Sequence, residues 1–308
     1  MFRDLLIPPK NGTTRFVFLG GKGGVGKSTL AAAISLGLAE EGYRVLLAST
    51  DLQKSQNDIL CQEIGSEETR VNGFDNFIAI NVDAKESIRK HQLEVIKKIG
   101  TLKGDEEEIL FLKEYWEKNP VLPCETASYN VFVEYMNSRE YDVIVFDTAP
   151  GGHNLEMISY PWVHLDRIKK SIMTKKEVAD LTGRVAEIEL LEKFAEEDTK
   201  AIKRLSSEDT SYILVLQPEM LPVYEAKRIM DSLAPYGVPV KGFILNEVLP
   251  KEVCTNSFFI ERRRLQEKYI KMIREQFPRM KIVEVPLIET EVIGIERVKR
   301  IAEVIMRG

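Results

Sequence analysis

Apolar residues follow two patterns along the chain: short continuous runs, and longer stretches at helical spacing. Seven continuous runs, rich in β-branched and aromatic residues, cover residues 15–20, 44–50, 77–82, 141–147, 211–217, 240–246 and 281–285. Strands that helices cover on both faces lack polar alternation in this way. The alternation of these runs with helical patterns predicts an α/β fold, a doubly wound and mostly parallel sheet with right-handed crossovers.

Two stretches interrupt this alternation of strand and helix. Residues 84–139 hold three helical patterns without a convincing strand, and residues 161–208 are also helical in pattern. In the second stretch an apolar stripe at helical spacing consists of Val178, Leu181, Val185 and Ile188. Such a stripe is more often ordinary core than the lining of a groove. We predict a single domain over residues 1–308 with a helical subdomain formed by the two insertions; the alternative is long crossover helices.

Composition and charge narrow the class of protein. The 308 residues include 43 basic and 48 acidic side chains, a formal net charge of −5, and 44% of them are hydrophobic. This excludes a disordered or collagen-like chain, and the mild acidity argues against a nucleic-acid partner. The three cysteines are far apart, which excludes a disulfide scaffold and indicates a reducing compartment. With neither a bilayer-spanning apolar run nor a signal peptide in the sequence, we expect a cytoplasmic protein.

A glycine-rich loop follows the first apolar run and leads into a helical pattern. It has the form G-x-x-x-x-G-K-S and consists of Gly21, Lys22, Gly23, Gly24, Val25, Gly26, Lys27, Ser28 and Thr29. Glycines let successive N–H groups curve around phosphate oxygens, and the helix N-terminus adds positive partial charge. Lys27 is expected to reach the β- and γ-phosphates, and the Ser28 hydroxyl to ligate Mg²⁺. In this context the motif predicts a nucleoside triphosphate site.

Two carboxylates, Asp51 and Asp147, end the second and fourth apolar runs. Parallel strands present their carboxyl ends at the sheet edge where nucleotides bind. We expect Asp51 to orient the attacking water and Asp147 to face Mg²⁺, which makes both candidate metal-site residues. The alternative for Asp147 is a turn cap. ATP is favoured over GTP because Asn246 is followed by E-V-L, not by the K-x-D that would read guanine.

The loop and the segment after Asp147 also carry a family resemblance. Lys22 gives the loop the form K-G-G-x-G-K-[ST], similar to that of MinD, ParA, the nitrogenase iron protein and the arsenite-pump ATPase. Residues 147–153 read D-T-A-P-G-G-H and resemble switch II of the ArsA family, which contains the arsenite-pump ATPase and the ATPases that target tail-anchored membrane proteins. The similarity continues in order through residues 285–294, and it is to the archaeal-like form with a single ATPase domain.

The resemblance implies roles for residues beyond the loop. Lys22 would reach the nucleotide of the partner subunit in a homodimer. Glu219 would lie near the ribose, Asn246 would recognise adenine, and Pro286 and Leu287 would cover the base. The resemblance further implies ATP and Mg²⁺ as cofactors, a transmembrane segment as client, and a membrane receptor as a further partner.

Some segments depart from the family pattern. After Asp51, switch I reads L-Q-K instead of P-A-H, which puts the rigidity of that loop in question. The eukaryotic targeting ATPase holds zinc with a C-x-x-C, but the matching residues 256–259 contain no cysteine and Cys254 stands alone, so we expect no zinc. Phe258 and Phe259 either replace the metal with apolar dimer contacts or belong to the core of one subunit.

The cysteines and the basic clusters also bear on whether the chain has a metalloid site or a docking surface. The arsenite-pump ATPase gathers three cysteines around its metalloid, whereas only Cys124 lies near one of those positions here. We interpret Cys61, Cys124 and Cys254 as small buried apolar residues. Two basic clusters, residues 167–176 and 262–264, are expected to coat solvated helix faces, with docking to acidic surfaces as the alternative.

Together these observations predict an ATP hydrolase that acts as a nucleotide-switched homodimer and delivers hydrophobic, tail-anchored membrane-protein segments. One alternative is an ATPase that drives an arsenite or antimonite pump. The other is a MinD-like regulatory ATPase, in which the helical pattern at residues 295–306 would be a membrane anchor. The apolar stripe of that pattern also suits packing on the sheet.

Overall fold

The chain divides into two compact units. The computed structural model describes residues 1–50, 54–118, 124–148, 152–182 and 185–308. The first unit, here the sheet unit, consists of Met1–Val82, Arg139–Leu155 and Ser206–Gly308. The second, here the helical unit, consists of Asp83–Ser138 and Glu156–Leu205.

A mostly parallel sheet forms the centre of the sheet unit. Its eight described strands are β1 Arg15–Gly20, β2 Val45–Ser49, β3 Thr69–Arg70, β4 Phe77–Asn81, β5 Val143–Asp147, β6 Thr210–Leu216, β7 Val240–Val248 and β8 Lys281–Pro286. They are ordered β3-β4-β2-β5-β1-β6-β7-β8, and every pairing is parallel except that of β3 with β4. The predicted α/β class is therefore confirmed. The sequence analysis missed β3, because a two-residue edge strand carries no recognisable apolar run.

Ten α-helices lie in the described parts of the chain. They are α1 Lys27–Glu40, α2 Ser55–Leu60, α3 Ala84–Ile99, α4 Glu106–Lys118, α5 Cys124–Asn137, α6 Gly152–Thr182, α7 Ala186–Leu205, α8 Met220–Leu233, α9 Ser257–Gln276 and α10 Ile295–Arg307. Short 3₁₀ helices span Arg3–Leu5, Ala234–Tyr236 and Lys251–Val253. Among the described residues, no helix is both long and apolar enough to span a bilayer.

The core of the sheet unit holds the phosphate-loop helix in place. Strands β1, β2, β5 and β6 are buried along their whole length, and α1 packs in the same apolar cluster. Helix α10 contributes its buried stripe of Val298, Ile301, Ala302 and Ile305 to that cluster. A Cβ at Gly37 of α1 would lie 2.8 Å from the Met306 side chain, so a larger residue at position 37 would displace that side chain of α10. The apolar face of α10 is therefore occupied by packing within the sheet unit and is not exposed as a membrane anchor.

The helical unit has its own smaller core. Residues of α3, α4, α6 and α7 meet there, among them Val95, Ile99, Leu112, Ile168, Leu190 and Phe194. Asp83 caps α3 by accepting a hydrogen bond from the Glu86 N–H, a typical helix start. The three helical patterns of residues 84–139 correspond to α3, α4 and α5.

The predicted stripe in the second insertion does not lie on one helix. Helix α6 ends at Thr182 and α7 begins at Ala186, so Val185 lies outside both. Val185 is exposed and Ile188 is buried, whereas the side chains of Val178 and Leu181 lie outside the described residues. The cause is a contact from α4: the Glu108 carboxylate accepts hydrogen bonds from the N–H groups of Ala186 and Glu187 and so fixes a new helix start.

Candidate nucleotide site

The glycine-rich loop connects the end of β1 to the start of α1, at the middle of the sheet. Gly21 has φ +145° and Gly26 has φ +90°, conformations that side-chain-bearing residues rarely adopt. A Cβ at Gly21 would also lie 2.5 Å from the carbonyl oxygen of Val215 on β6. The chain can therefore bend into α1 only with glycine at these positions, and the bend leaves Gly23 and Gly24 exposed.

The two lysines of the loop have different environments. Lys27 is buried, and its Nζ donates a hydrogen bond to the carbonyl oxygen of Lys22 at 3.0 Å. The ammonium therefore lies inside the curve of the loop. Lys22 is exposed.

Asn246 packs directly beneath the loop. Its Nδ2 donates a hydrogen bond to the carbonyl oxygen of Val25 at 2.9 Å. A Cβ at Gly26 would lie only 2.4 Å from that same nitrogen, so the contact also requires glycine there. The residue that the resemblance assigns to adenine is thus attached to the phosphate loop through its amide nitrogen.

Asp147 is the buried carboxylate of the site, with 0% of its surface exposed. Its Oδ2 accepts hydrogen bonds from the Ser49 hydroxyl at 3.1 Å and from the Gln56 Nε2 at 2.8 Å. Its Oδ1 is buried and has no hydrogen-bond partner among the described residues. Burial raises the pKa of Asp147, while the hydrogen bonds and the nearby Lys27 charge act in the opposite direction.

The donor set around Asp147 fits Mg²⁺. A hard cation prefers oxygen ligands, and Mg²⁺ is usually held by one or two protein oxygens, substrate phosphates and several waters. The unpartnered Asp147 Oδ1 is such an oxygen, and the Ser28 hydroxyl lies close enough to lower the pKa of Asp147. No cluster of three or more His, Cys, Asp or Glu residues suitable for a metal occurs in the described part of the chain. A magnesium site that relies on phosphates and water needs no such cluster.

Gln56 is a site residue that the sequence analysis missed. It lies on α2, is 1% exposed, and its Nε2 donates both to Asp147 and to the carbonyl oxygen of Ser28, the latter at 3.1 Å. A signal was present in the sequence, because Gln56 shares the helix face of the apolar residues Ile59 and Leu60. A polar residue on such a face needs a buried partner.

The base-side candidates lie at the carboxyl ends of neighbouring strands. Glu219 follows β6 and pairs with Arg262 of α9. Pro286 ends β8, and the Leu287 N–H donates to the carbonyl oxygen of Val248 at 2.9 Å. Since β6, β7 and β8 are parallel neighbours, these residues and Asn246 share one edge of the sheet. Part of Leu287 remains exposed at that edge.

Several candidate site residues lie outside the described residues. Asp51 is outside the described residues, as is the switch II segment 149–151. The side chains of Cys124 and His153 are likewise not described. How Asp51 relates to the phosphate loop therefore remains an expectation from the sequence.

Two interpretations of surface residues need correction. Cys61 is exposed and Cys254 is partly exposed, so the interpretation of these two as buried is wrong. Cys61 ends α2 in a left-handed conformation, which turns it outward. Phe258 is 71% exposed and Phe259 is also exposed, so they do not belong to the core of the subunit.

The basic clusters are largely paired. Lys170, Lys175 and Lys176 form ion pairs with Asp166, Glu187 and Glu192, and Arg262, Arg263 and Arg264 pair with Glu219, Glu267 and Glu261. This is typical of solvated helix faces and leaves little net positive charge to attract an acidic surface.

A phosphate loop between β1 and α1, with an aspartate at the end of the adjacent β5, defines a nucleoside triphosphatase of the P-loop class. The sequence profile of the family described as anion-transporting ATPases matches residues 14–307. The chain belongs to this family, the ArsA family, and is an ATPase.

The relatives carry two kinds of name. A protein of Aquifex aeolicus, named as an arsenical pump-driving ATPase, is 33% identical, and the alignment covers 96% of this chain and 100% of that protein. A Halobacterium salinarum protein with a similar name is 33% identical over 98% of this chain, which spans only 45% of that protein's length. The ATPase GET3 of Chaetomium globosum is 28% identical over 95% of this chain and 90% of its own.

Proposed function

We propose that this ATPase works with Mg²⁺ as a nucleotide-switched homodimer and that it binds and delivers hydrophobic segments of membrane proteins. The observation that carries the last part is an exposed apolar stripe on α4 of the helical unit. The ATP chemistry is supported by the loop geometry, and the dimer by the exposure of Lys22 and of the first turn of α9.

In the proposed reaction the protein positions charges and excludes misaligned water. Bound Mg²⁺ would neutralise phosphate charge, with the Ser28 hydroxyl and Asp147 holding it. Lys27, already inside the loop, holds the β- and γ-phosphates. Asp51 orients the attacking water, as its place at the end of the second strand run suggests. Lys22 neutralises developing charge on the partner's nucleotide.

The homodimer rests on two exposed features. Lys22 is the outward lysine of the loop, where it can meet a second subunit's phosphates. Phe258 and Ile260 are exposed large apolar residues in the first turn of α9, at the position where the eukaryotic relative's zinc motif would fall. Such residues lose unfavourable contact with water when a second apolar surface covers them. In this proposal they replace zinc.

The α4 stripe, defined as Leu110, Phe111 and Tyr115, gives the helical unit a surface for apolar segments. Phe111 is 59% exposed, and its ring stacks on that of Tyr115, with the centroids 6.5 Å apart. The opposite face of α4 is already packed, since Leu112 and Trp116 belong to the core of the helical unit. The stripe is therefore additional apolar surface that the fold of the unit does not use. Exposed apolar clusters of this kind mark interaction sites.

We further propose that the helical unit, predicted from the insertions 84–139 and 161–208, is the part that reads out the nucleotide state. When the γ-phosphate is lost, P-loop switches usually respond with a change in the order or the orientation of a segment. The adenine, ribose and base-covering roles of Asn246, Glu219, Pro286 and Leu287 belong to the same proposal.

A pump-driving role is the second candidate, and the names of the Aquifex and Halobacterium relatives favour it. A metalloid site of thiolates needs several cysteines within bonding distance of one ion. Among the described residues, no three His, Cys, Asp or Glu side chains lie close enough together to hold an ion, and Cys61 and Cys254 are both free thiols. Cargo binding is favoured because an apolar segment would cover the exposed α4 stripe, whereas a metalloid ion would not.

The test is capture of a synthetic transmembrane segment. A fluorescently labelled 20-residue Leu/Ala helix flanked by lysines would be diluted from detergent into buffer with the protein, Mg²⁺ and ATP. We expect co-elution with wild-type protein in size-exclusion chromatography and strong loss with Leu110→Asp/Phe111→Asp. Leu221→Asp is the matched control, since Leu221 is equally exposed but lies on α8 of the sheet unit. Equal loss in both variants, or none in either, would refute the α4 assignment.

A further inference from the structure

The buried amide of Gln56 joins three parts of the nucleotide site. Gln56 lies on the short helix α2, directly after the switch I residues. Its Nε2 donates hydrogen bonds to the carbonyl oxygen of Ser28 on α1 and to Asp147 Oδ2 at the end of β5. Both donor positions of the amide nitrogen are therefore used. Any displacement of α2 must break contacts to the phosphate-loop helix and to the buried carboxylate together.

Two acceptor oxygens at this junction receive no hydrogen bond from the part of the chain that the structure describes. Gln56 Oε1 and Asp147 Oδ1 are both buried and without a hydrogen-bond partner among the described residues. They belong to two groups that already contact each other through Nε2 and Oδ2. Buried acceptors in native proteins are normally paired, so two unpaired ones in adjoining groups indicate a donor beyond the residues that the structure describes. Water bound to a metal ion is such a donor, because the cation polarises its O–H bonds.

We propose that Gln56 is a positioning residue for the magnesium site, with Nε2 holding Asp147 in place and Oε1 accepting a hydrogen bond from a water bound to Mg²⁺. This inference rests on the proposed Mg·ATP chemistry and adds a residue to it. Outer partners of this kind fix ligand orientation and tune the affinity for the metal. Because α2 follows switch I, loss of the metal-bound water would also remove one of the contacts between α2 and the site.

The test measures metal binding rather than turnover. A fluorescent methylanthraniloyl ATP would be bound to the protein in EDTA, and Mg²⁺ would then be titrated to find its half-saturating concentration. Gln56→Met keeps nearly the same volume and removes donor and acceptor together. We expect the half-saturating Mg²⁺ concentration of this variant to rise by about tenfold or more. Its affinity for the nucleotide in EDTA should stay near that of wild type.

Gln62→Met is the matched control. Gln62 lies just after α2 in the same unit, and its side chain makes two hydrogen bonds, both to backbone groups of residues 70 and 72. Its variant should keep the wild-type Mg²⁺ dependence. An unchanged Mg²⁺ half-saturation in Gln56→Met would overturn the proposal and reduce Gln56 to a structural amide. If nucleotide binding by the wild-type protein showed no Mg²⁺ dependence, the proposed magnesium chemistry would be refuted as well. The wild-type titration therefore distinguishes failure of the Gln56 role from failure of the magnesium chemistry.

A second variant decides the matter if Gln56→Met does not fold. Gln56→Glu keeps an acceptor for metal-bound water, adds negative charge beside the cation, and removes the donor to Asp147. We expect it to lower the half-saturating Mg²⁺ concentration and to weaken nucleotide binding in EDTA through repulsion of the phosphates. A Mg²⁺ dependence unchanged from wild type would contradict the assignment.

Discussion

Lys27 is the residue on which nucleotide binding depends most directly. It is buried within the curve of the phosphate loop and donates to the backbone of Lys22, so its charge is already placed where phosphates would bind. Charge-assisted hydrogen bonds in a desolvated loop are among the stronger polar contacts in proteins. The predictions for single residues depend on where the charge of each side chain lies and on which oxygen atoms lack a hydrogen-bond donor.

Lys27→Ala is expected to abolish ATP binding or turnover, because no other cation of the loop is held inside it. Isothermal titration with ATP and a phosphate-release assay would measure both. Lys10→Ala, an exposed loop lysine in the same unit, is the control and should behave as wild type. Hydrolysis at the wild-type rate by Lys27→Ala would remove the phosphate-loop assignment.

Asp51→Asn is expected to retain ATP binding and to lose hydrolysis, since an amide cannot accept a proton from the attacking water. The variant should then accumulate in the ATP-bound, closed state. Single-turnover hydrolysis and nucleotide affinity, measured side by side, separate the two effects. If turnover survives within a factor of a few, Asp51 does not orient the water.

Among single residues, the sequence predicts those whose chemistry requires a fixed spacing along the chain. The phosphate loop was predictable because glycine is required at Gly21 and Gly26, and a lysine must follow the last glycine. Gln56 was not predictable in its role, because its partners Ser28 and Asp147 are far from it in sequence and only the sheet order brings them together. Cys61 was misjudged because its exposure depends on the backbone conformation at the end of α2.

Among the elements, the start of α7 depends on a contact from another helix. Glu108 of α4 is buried, and its carboxylate accepts hydrogen bonds from Ala186 N–H at 2.9 Å and from Glu187 N–H. A carboxylate at a helix N-terminus satisfies otherwise unpaired donors and interacts favourably with the helix dipole.

Glu108→Ala is therefore expected to lower the free energy of unfolding by about 1–2 kcal/mol, the usual cost of losing a helix cap. Urea denaturation followed by circular dichroism would show a lower midpoint with little change in slope. Glu107→Ala is the matched control, because Glu107 is the exposed neighbour on the same helix. Equal stability of the two variants would show that α7 does not need this cap.

The same contact explains an error in the predicted elements. Apolar periodicity is consistent with one continuous helix that carries Val178, Leu181, Val185 and Ile188. A periodic pattern contains no information about a cap that comes from α4. The long apolar strands were found because burial on both faces gives them an unmistakable composition. Strand β3 was missed because its two residues owe their conformation to β4 rather than to their own side chains.

For the whole molecule, we expect a protein without stoichiometric zinc. Residues 256–259 contain no cysteine, and the Cys254 Sγ is engaged with the Pro250 carbonyl oxygen at 3.3 Å. A lone thiolate cannot supply a tetrahedral zinc site. Inductively coupled plasma mass spectrometry of purified protein is expected to find far less than one zinc per dimer. A value near one would show that the subunits share a metal after all.

Metalloid stimulation is expected to be weak for a related reason. One cysteine, Cys124, lies near a position that the arsenite-pump ATPase uses, and one thiolate holds arsenite poorly. ATPase rates with and without antimonite should agree within a factor of about two, an order-of-magnitude expectation for a site lacking its thiolate set. Strong stimulation that disappears in Cys124→Ser would favour the pump-driving role over cargo delivery.

The central claim is that nucleotide holds two subunits together through Lys22. Each subunit of a symmetric dimer contributes one such contact, so the interface contains it twice. Each is worth roughly 1.5–3 kcal/mol as a charge-assisted hydrogen bond in a desolvated site. Lys22→Ala should therefore weaken association by orders of magnitude without unfolding the subunit. Lys22→Arg should rescue it poorly, because a planar guanidinium does not replace a compact ammonium.

Light scattering with and without a non-hydrolysable ATP analogue tests this claim most directly. We expect the wild-type mass to rise to twice the 35.2 kDa of one subunit when the analogue and Mg²⁺ are added. Lys22→Ala should remain near the mass of one subunit under the same conditions, while Lys10→Ala follows the wild type. A Lys22→Ala dimer of unchanged mass with and without the analogue would contradict the account, because the interface would then be built elsewhere.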